Sequence, residues 1–151
     1  MKLRHATAAD ADFLLGLRND PATRANSRRA DATDPKTHAA WLSRTLGNPC
    51  TTLYVLESES GQPLGTGRLD FDGSAVEINL TVAPDVRGKG VGQHLLTCLV
   101  DHARRDGRAT RATALVALHN IPSLRAFLSN GFVPNTPTVR LELPFDAERW
   151  P

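Results

Sequence analysis

Val86-Arg87-Gly88-Lys89-Gly90-Val91-Gly92 is a stretch of backbone suited to meeting an anion. Glycines at 88, 90 and 92 let the chain approach a ligand closely and turn successive N–H groups toward one point. A helix starting there adds the partial positive charge of its N-terminus, so phosphate is the ligand the turn suits best. The spacing lacks the Gly-Lys-Ser/Thr ending of a P-loop and is not Gly-x-Gly-x-x-Gly, which argues against a dinucleotide fold. Glycines alone also allow a plain flexible connection, the lesser of the two readings. A second chemical feature is the basic stretch Arg18, Arg24, Arg28, Arg29, which has few acids after Asp20. It is either a solvated surface or a site for an anionic substrate.

Around the turn, the sequence supplies the elements that must hold it. Val76, Ile78, Leu80 and Val82 alternate with Glu77, Asn79 and Thr81, the pattern of a half-buried strand over Ala75 to Val82. Leu95, Leu96, Leu99, Val100 and Ala103 then recur at helical spacing until Gly107 supplies a stop. Upstream, Lys2 to His5 reads as a first strand. Thr7 or Asp10 caps a helix carrying Phe13, Leu14 and Leu17, which ends near Asn19-Asp20-Pro21. Residues 21–34 read as polar, basic and irregular. Asp34-Pro35 opens a helix with Trp41, Leu42 and Leu46 on its apolar face. Thr51 to Leu56 and Leu64 to Phe71 read as strands, with hairpin signals at Glu59-Ser60-Gly61-Gln62 and Asp72-Gly73. Downstream come a strand over 112–118, a helix after Asn120, and strands near 132–134 and 138–143. Asn120 is a good N-cap, Pro122 suits a first helical turn, and Gly131 suits a left-handed stop.

At 151 residues with 40% hydrophobic and 23% charged composition, the chain can bury a core without staples as one domain, 1–151. No long apolar run and no basic-then-apolar leader is visible, so a cytoplasmic protein without a membrane span is expected. Cys50 and Cys98 are too few for a disulfide framework and are expected reduced. His5, His38, His94, His102 and His119 show no paired ligand spacing, so no metal is expected. A net charge of +2 is too mild to argue for nucleic acid.

Arg87, Gly90 and Gly92 fit the Arg/Gln-x-x-Gly-x-Gly/Ala signature of the GNAT N-acetyltransferase superfamily, which the chain resembles. Asn120-Ile121-Pro122-Ser123-Leu124-Arg125-Ala126-Phe127, running on to Gly131-Phe132, is similar to the family's Asn-x-x-Ser/Ala-x-x-x-aromatic-x-x-x-Gly-Phe segment. The order of elements fits over essentially the whole chain. The resemblance implies an α/β (α+β) GNAT acyltransferase fold with a mixed, mostly antiparallel sheet of about seven strands flanked by about four helices. It also implies acetyl-CoA as cosubstrate. Arg87, Gly88, Lys89, Gly90, Val91 and Gly92 would cradle the pyrophosphate, with Asn120, Ser123 and Phe127 nearby. Backbone groups of Leu80, Thr81 and Val82 would pair with pantetheine like an added strand, and an N–H among them would serve the oxyanion.

Acetyl transfer to an amine needs a proton acceptor. Glu77, on the polar side of the central strand, is the first candidate and His38 the second, its ordinary pKa being near neutral. Both have plain alternatives, a solvent-facing strand glutamate and a capping or surface histidine. Many family members carry tyrosine where this chain has Phe127. Phenylalanine cannot protonate the leaving thiolate, so water, a hydroxyl such as Ser123, or an unassisted departure takes its place, and the ring packs near pantetheine or in the core.

For the acceptor, Leu17-Arg18-Asn19-Asp20, Arg24, Ser27 and His38-Ala39-Ala40-Trp41-Leu42 resemble a signature of N-acetyltransferases acting on nucleotide-linked 4-amino sugars, those of the pseudaminic-acid pathway above all, with Leu17 replacing a frequent tryptophan. That likeness implies a UDP-amino sugar as acceptor, with Arg18, Asn19, Arg24, Ser27, His38 and Trp41 on the substrate side. Arg18, Arg24 or Arg28 would meet its diphosphate, and Trp41, which otherwise reads as core, would stack its aromatic plane. The competing acceptors are protein N-termini or lysines and small amines of the aminoglycoside type. A non-catalytic acyl-CoA-binding module is the alternative of another class. Val139 to Leu143 could pair two copies into a homodimer.

Overall fold

Alternating side chains and tight turns set out the middle of the chain as a meander. The computed structural model describes residues 1–135. Strands β1 (Lys2–His5), β2 (Thr51–Glu57), β3 (Pro63–Asp72), β4 (Ala75–Val82) and β5 (Arg111–Thr113) lie side by side in chain order. All neighbours are antiparallel except β4 and β5, which are parallel. Parallel neighbours need a crossover, and α4 (Val91–Asp106) provides it. Gly73, at φ +56°, makes the β3–β4 turn short enough that Asp72 pairs with Ala75. That register places Thr66 opposite Thr81, Arg68 opposite Asn79, and Asp70 opposite Glu77.

The two faces of the sheet are covered differently. On one, α4 lays Leu95, Leu96 and Leu99 against Tyr54, Leu56, Leu69, Val76 and Ile78. Each such large side chain contributes at most about 1.5–3 kcal/mol by leaving water. The helix approaches closely because β3 carries glycine beneath it: a Cβ on Gly67 would lie 2.5 Å from Leu99 Cδ1. Gly107, at φ +76°, ends α4. On the other face, α1 (Ala11–Asn19) and α3 (Pro35–Leu46) bury Leu14 and Leu42 against Leu53 and Val55. Asp10, ahead of α1, is clamped by both terminal nitrogens of Arg4, at 2.9 and 2.8 Å, and Arg4 Nε reaches Glu57 at 2.6 Å. The Asp34 carboxylate caps α3 by accepting from the Thr37 N–H at 2.9 Å. α5 (Ile121–Ser129) is capped by Asn120 Oδ1, which accepts from the Ser123 N–H at 3.3 Å.

Several expectations are corrected. Part of the stretch expected to be irregular is a short helix, α2 (Pro21–Ala25), because Asp20 caps it and Pro21 suits its first turn. The strand expected over 112–118 ends at Thr113: among the described residues β5 pairs only with Ala75–Glu77. Residues 132–134 form no strand: the Phe132 N–H donates to the Phe127 carbonyl, and the chain closes the end of α5 instead. Five strands therefore stand among the described residues rather than about seven. The expected strand 138–143 and the homodimer expected through it lie outside them. No helix among the described residues is long and apolar enough to cross a membrane.

Candidate active site

The glycine turn lies between β4 and α4. Gly88 and Gly90 take φ of +74° and +79°, which other residues adopt only with strain, and open space lies where their Cβ atoms would be. Gly90 is the N-cap of α4, and no side chain caps the helix. The first N–H groups of α4 have no intrahelical partners and face that open side with the positive end of the dipole. This cradle fits a pyrophosphate. Gly92 packs against Val82, where a Cβ would sit 3.4 Å from Cγ2, and Val91 is buried in the core. Lys89 Nζ donates to the Asp85 carbonyl at 2.9 Å. Arg87 does something the glycine pattern does not disclose. Its Nε donates to the Val82 carbonyl at 3.0 Å, and its Nη2 donates to Asp20 Oδ2 at 2.7 Å and Thr23 Oγ1 at 3.1 Å.

β4 and β5 part beyond Glu77 and Thr113, the last paired residues. From Ile78 to Val82 the β4 backbone is paired on its β3 side, with no β5 residue on the other. Among the described residues, Leu80, Thr81 and Val82 thus sit at an open strand edge, which an extended ligand can join. Arg87 already uses the Val82 carbonyl, leaving that group one lone pair for a ligand.

The face of β4 turned away from α4 carries a polar cluster. Glu77 is half-buried, and its Oε1 accepts from Asn79 Nδ2 at 3.2 Å. The same amide reaches Asp70 Oδ2 at 3.4 Å, and Asp70 also accepts from Arg68 Nε at 2.7 Å and Thr51 Oγ1 at 2.9 Å. Two carboxylates thus stand opposite each other across β3 and β4, bridged by the Asn79 amide, with one guanidinium on Asp70. A carboxylate held this way, beside the open edge of β4, can take a proton from an incoming ammonium. Asp70, Arg68 and Thr51 were not singled out from sequence, although the Asp72-Gly73 hairpin signal fixes the register that aligns them.

The acceptor-side residues are tied into one another. Arg18 Nη2 donates to the carbonyls of Arg29 and Asp31, at 2.8 and 3.3 Å. Asn19 holds Thr33 with both amide atoms, each at 2.8 Å, and Arg24 Nε donates to the Ala30 carbonyl at 2.6 Å. Ser27 Oγ accepts weakly from the Arg29 N–H at 3.5 Å. Arg24, Asn19 and Ser27 therefore shape the 26–33 loop. Arg18 Nη1 differs: it is buried and has no hydrogen-bond partner among the described residues. Beside it His38 is buried in α3, and burial, with the charge of Arg18 added, holds its pKa below 6.5, so the imidazole is uncharged at neutral pH. Trp41 stands one turn on, its ring 5.2 Å from that of His38 and half-buried on the second core. His38 and Glu77 serve the same side of the sheet, with α3 packed over β2 and Glu77 two strands away. At the far end, Asn120 and Ser123 meet in the cap of α5, and Phe127 lies in the core, edge-on to Phe132 at 5.0 Å. No group of three metal-ligating side chains stands together among the described residues.

Residues 1–133 match the family profile described as acetyltransferase (GNAT) domain. An L-amino acid N-acyltransferase of Escherichia coli is 32% identical over 142 residues, which cover 88% of this chain and 80% of that protein. An L-methionine sulfoximine/L-methionine sulfone acetyltransferase of Salmonella typhimurium is 29% identical over 153 residues, 95% of this chain and 84% of that one. Among solved structures, a Salmonella typhimurium protein with its cofactor acetyl-CoA superposes with a TM-score of 0.76 at 28% identity, covering 90% of this chain and 81% of the other.

Proposed function

The chain belongs to the GNAT acetyltransferase family, and from that premise we propose that it acetylates a primary amine whose molecule also carries an anionic group. Bound acetyl-CoA supplies the activated acetyl thioester. The turn 87–92 and the first turn of α4 would hold its phosphates, and the open edge of β4 at Leu80–Val82 its pantetheine. Glu77 draws the proton from the acceptor's ammonium and frees the lone pair that attacks. An N–H on the open edge of β4 donates to the acetyl oxygen as that oxygen gains charge. With phenylalanine at 127, the leaving sulfur is protonated by water or the Ser123 hydroxyl, or departs as thiolate.

One observation supports the anionic group: the buried Arg18 Nη1, without a partner among the described residues. A buried charged N–H left unpaired is costly, and an acceptor anion would satisfy it. One nitrogen, with the neighbouring Nη2 already bound to backbone, suits a single carboxylate. An α-amino acid offers an amine and a carboxylate together, the acceptor class named for both curated relatives. A nucleotide-linked amino sugar is the second reading, supported by the exposed Arg28 and the half-exposed Trp41 on the same side.

Coenzyme A release from acetyl-CoA with L-methionine sulfone, a UDP-linked 4-amino sugar and a polyamine tests this directly. Turnover with the amino acid is expected, and none with the polyamine. Arg18→Ala is expected to raise the acceptor KM about 10- to 100-fold, the worth of a charged hydrogen bond, with the acetyl-CoA KM unchanged. Turnover of the sugar alone establishes the second reading, and efficient turnover of the polyamine overturns the anionic requirement.

A further inference from the structure

The contacts of Arg87 join the two halves of the site. Its backbone belongs to the glycine turn, while its guanidinium reaches 67 residues back in the chain to Asp20. We infer that Arg87 and Asp20 form a positioning latch through which coenzyme binding orders the acceptor-side segment 20–33. The inference rests on the reading of the turn as the coenzyme's phosphate site.

Asp20 is the junction between α1 and α2. Its N–H donates to the Gly16 carbonyl at the end of α1, and its side chain caps α2. One carboxylate oxygen, Oδ2, accepts three donors: the Thr23 N–H at 2.9 Å, Thr23 Oγ1 at 3.1 Å and Arg87 Nη2 at 2.7 Å. The cap of α2 is therefore held from outside by the turn. From this junction the ties run on. Asn19 is the next residue back and holds Thr33, and Arg18 holds the carbonyls of Arg29 and Asp31. The loop that shapes the acceptor side thus hangs from a carboxylate whose charged partner is carried by the phosphate turn.

A turn with φ above +70° at two glycines has backbone freedom to lose when its N–H groups grip phosphate. Fixing the turn fixes the root of Arg87, and the short ion pair passes that restriction to Asp20. Coupling of this kind is reciprocal, so an ordered segment 20–33 tightens coenzyme binding by the same factor. Arginine suits the position because Nε can take the Val82 carbonyl while Nη2 takes Asp20. Glutamine, with one terminal amide nitrogen, cannot span both.

Hydrogen exchange of the whole protein with and without saturating coenzyme A is the test, since it needs no knowledge of the acceptor. In the wild type, coenzyme A is expected to slow exchange in the turn and also, about fivefold or more, across 20–33. Asp20→Asn keeps a competent cap but removes the charge, and Asp20→Ser keeps a competent cap but shortens the reach. In both variants the turn is expected to stay protected by saturating coenzyme A, while exchange across 20–33 becomes indifferent to it. Equal protection of 20–33 in the wild type and both variants overturns the latch, as does a wild type protected at the turn alone. Absence of protection at the turn itself overturns the phosphate-site reading and the latch with it.

Discussion

Glu77 stands in a setting that suits a proton acceptor: half-buried, held by one amide, and facing a second carboxylate that already has three donors. Its Oε1 hydrogen bond to Asn79 orients the group without neutralising it. Glu77→Gln keeps size and hydrogen bonding, so its effect isolates the proton-accepting role. It is expected to lower kcat by about 10²- to 10⁴-fold while calorimetry shows unchanged acetyl-CoA affinity. A kcat within threefold of wild type would remove Glu77 from the mechanism. The placement of Glu77 on the polar side of β4 was legible because strand alternation has a period of two residues. The glycine turn was legible because it combines three glycines with a flanking strand and helix. The roles of Arg18, Asn19, Arg24 and Arg87 as ties were not, because their partners are backbone carbonyls or a capping carboxylate far along the chain. No pattern of side-chain types reports which carbonyl an arginine will find.

The seating of α4 on the sheet decides where its N-terminus, and hence the turn, comes to rest. β3 makes room for it at Gly67, where a Cβ would lie within 2.6 Å of both Leu99 methyls; a Cβ on Gly65 would instead meet the Thr81 carbonyl of β4 at 2.7 Å. Leu99 is fully buried and cannot swing aside. Gly67→Ala is therefore expected to push α4 outward and cost about 1–3 kcal/mol, seen as a melting temperature lower by a few degrees and a weaker affinity for coenzyme A. An unchanged melting temperature would show that the helix seat is looser than the packing indicates. The helices α1, α3, α4 and α5 and the strands β2 to β4 were legible because each has a regular apolar period and a cap or turn at its end. α2 was missed because five residues with none buried give no period to read. The apolar run 114–118 looked like a longer β5, yet Leu115 and Leu118 are 62% and 71% exposed. Among the described residues, local β-propensity there has no neighbouring strand to pair with, since β4 and β5 part beyond Glu77 and Thr113.

Across the whole molecule, Asp10 and His38 are the buried residues among those described that titrate below neutral pH, Asp10 ahead of α1 and His38 within α3. They bias stability in the same direction. The hydrogen bonds from Arg4 hold the Asp10 carboxyl below its ordinary 3.8, so its contribution is complete above that value and drains away as pH falls beneath it. Burial, with the charge of Arg18, holds His38 below its ordinary 6.5. The unfolded chain therefore takes up this proton first. The stability due to an uncharged His38 is complete above pH 6.5 and is lost as pH falls toward the folded value. Acid is then expected to lower the melting temperature in two separate windows. His38→Gln removes the upper one and leaves the lower, flattening the profile between pH 7 and pH 5. Asp10→Asn leaves the upper window in place and costs about 1.5–3 kcal/mol at neutral pH, because the two Arg4 hydrogen bonds lose their charged acceptor. Parallel profiles for wild type and His38→Gln over the upper window would mean that His38 titrates alike in the folded and unfolded chains. Burial of the ring would then not be holding the imidazole uncharged, and the upper window would belong to another group.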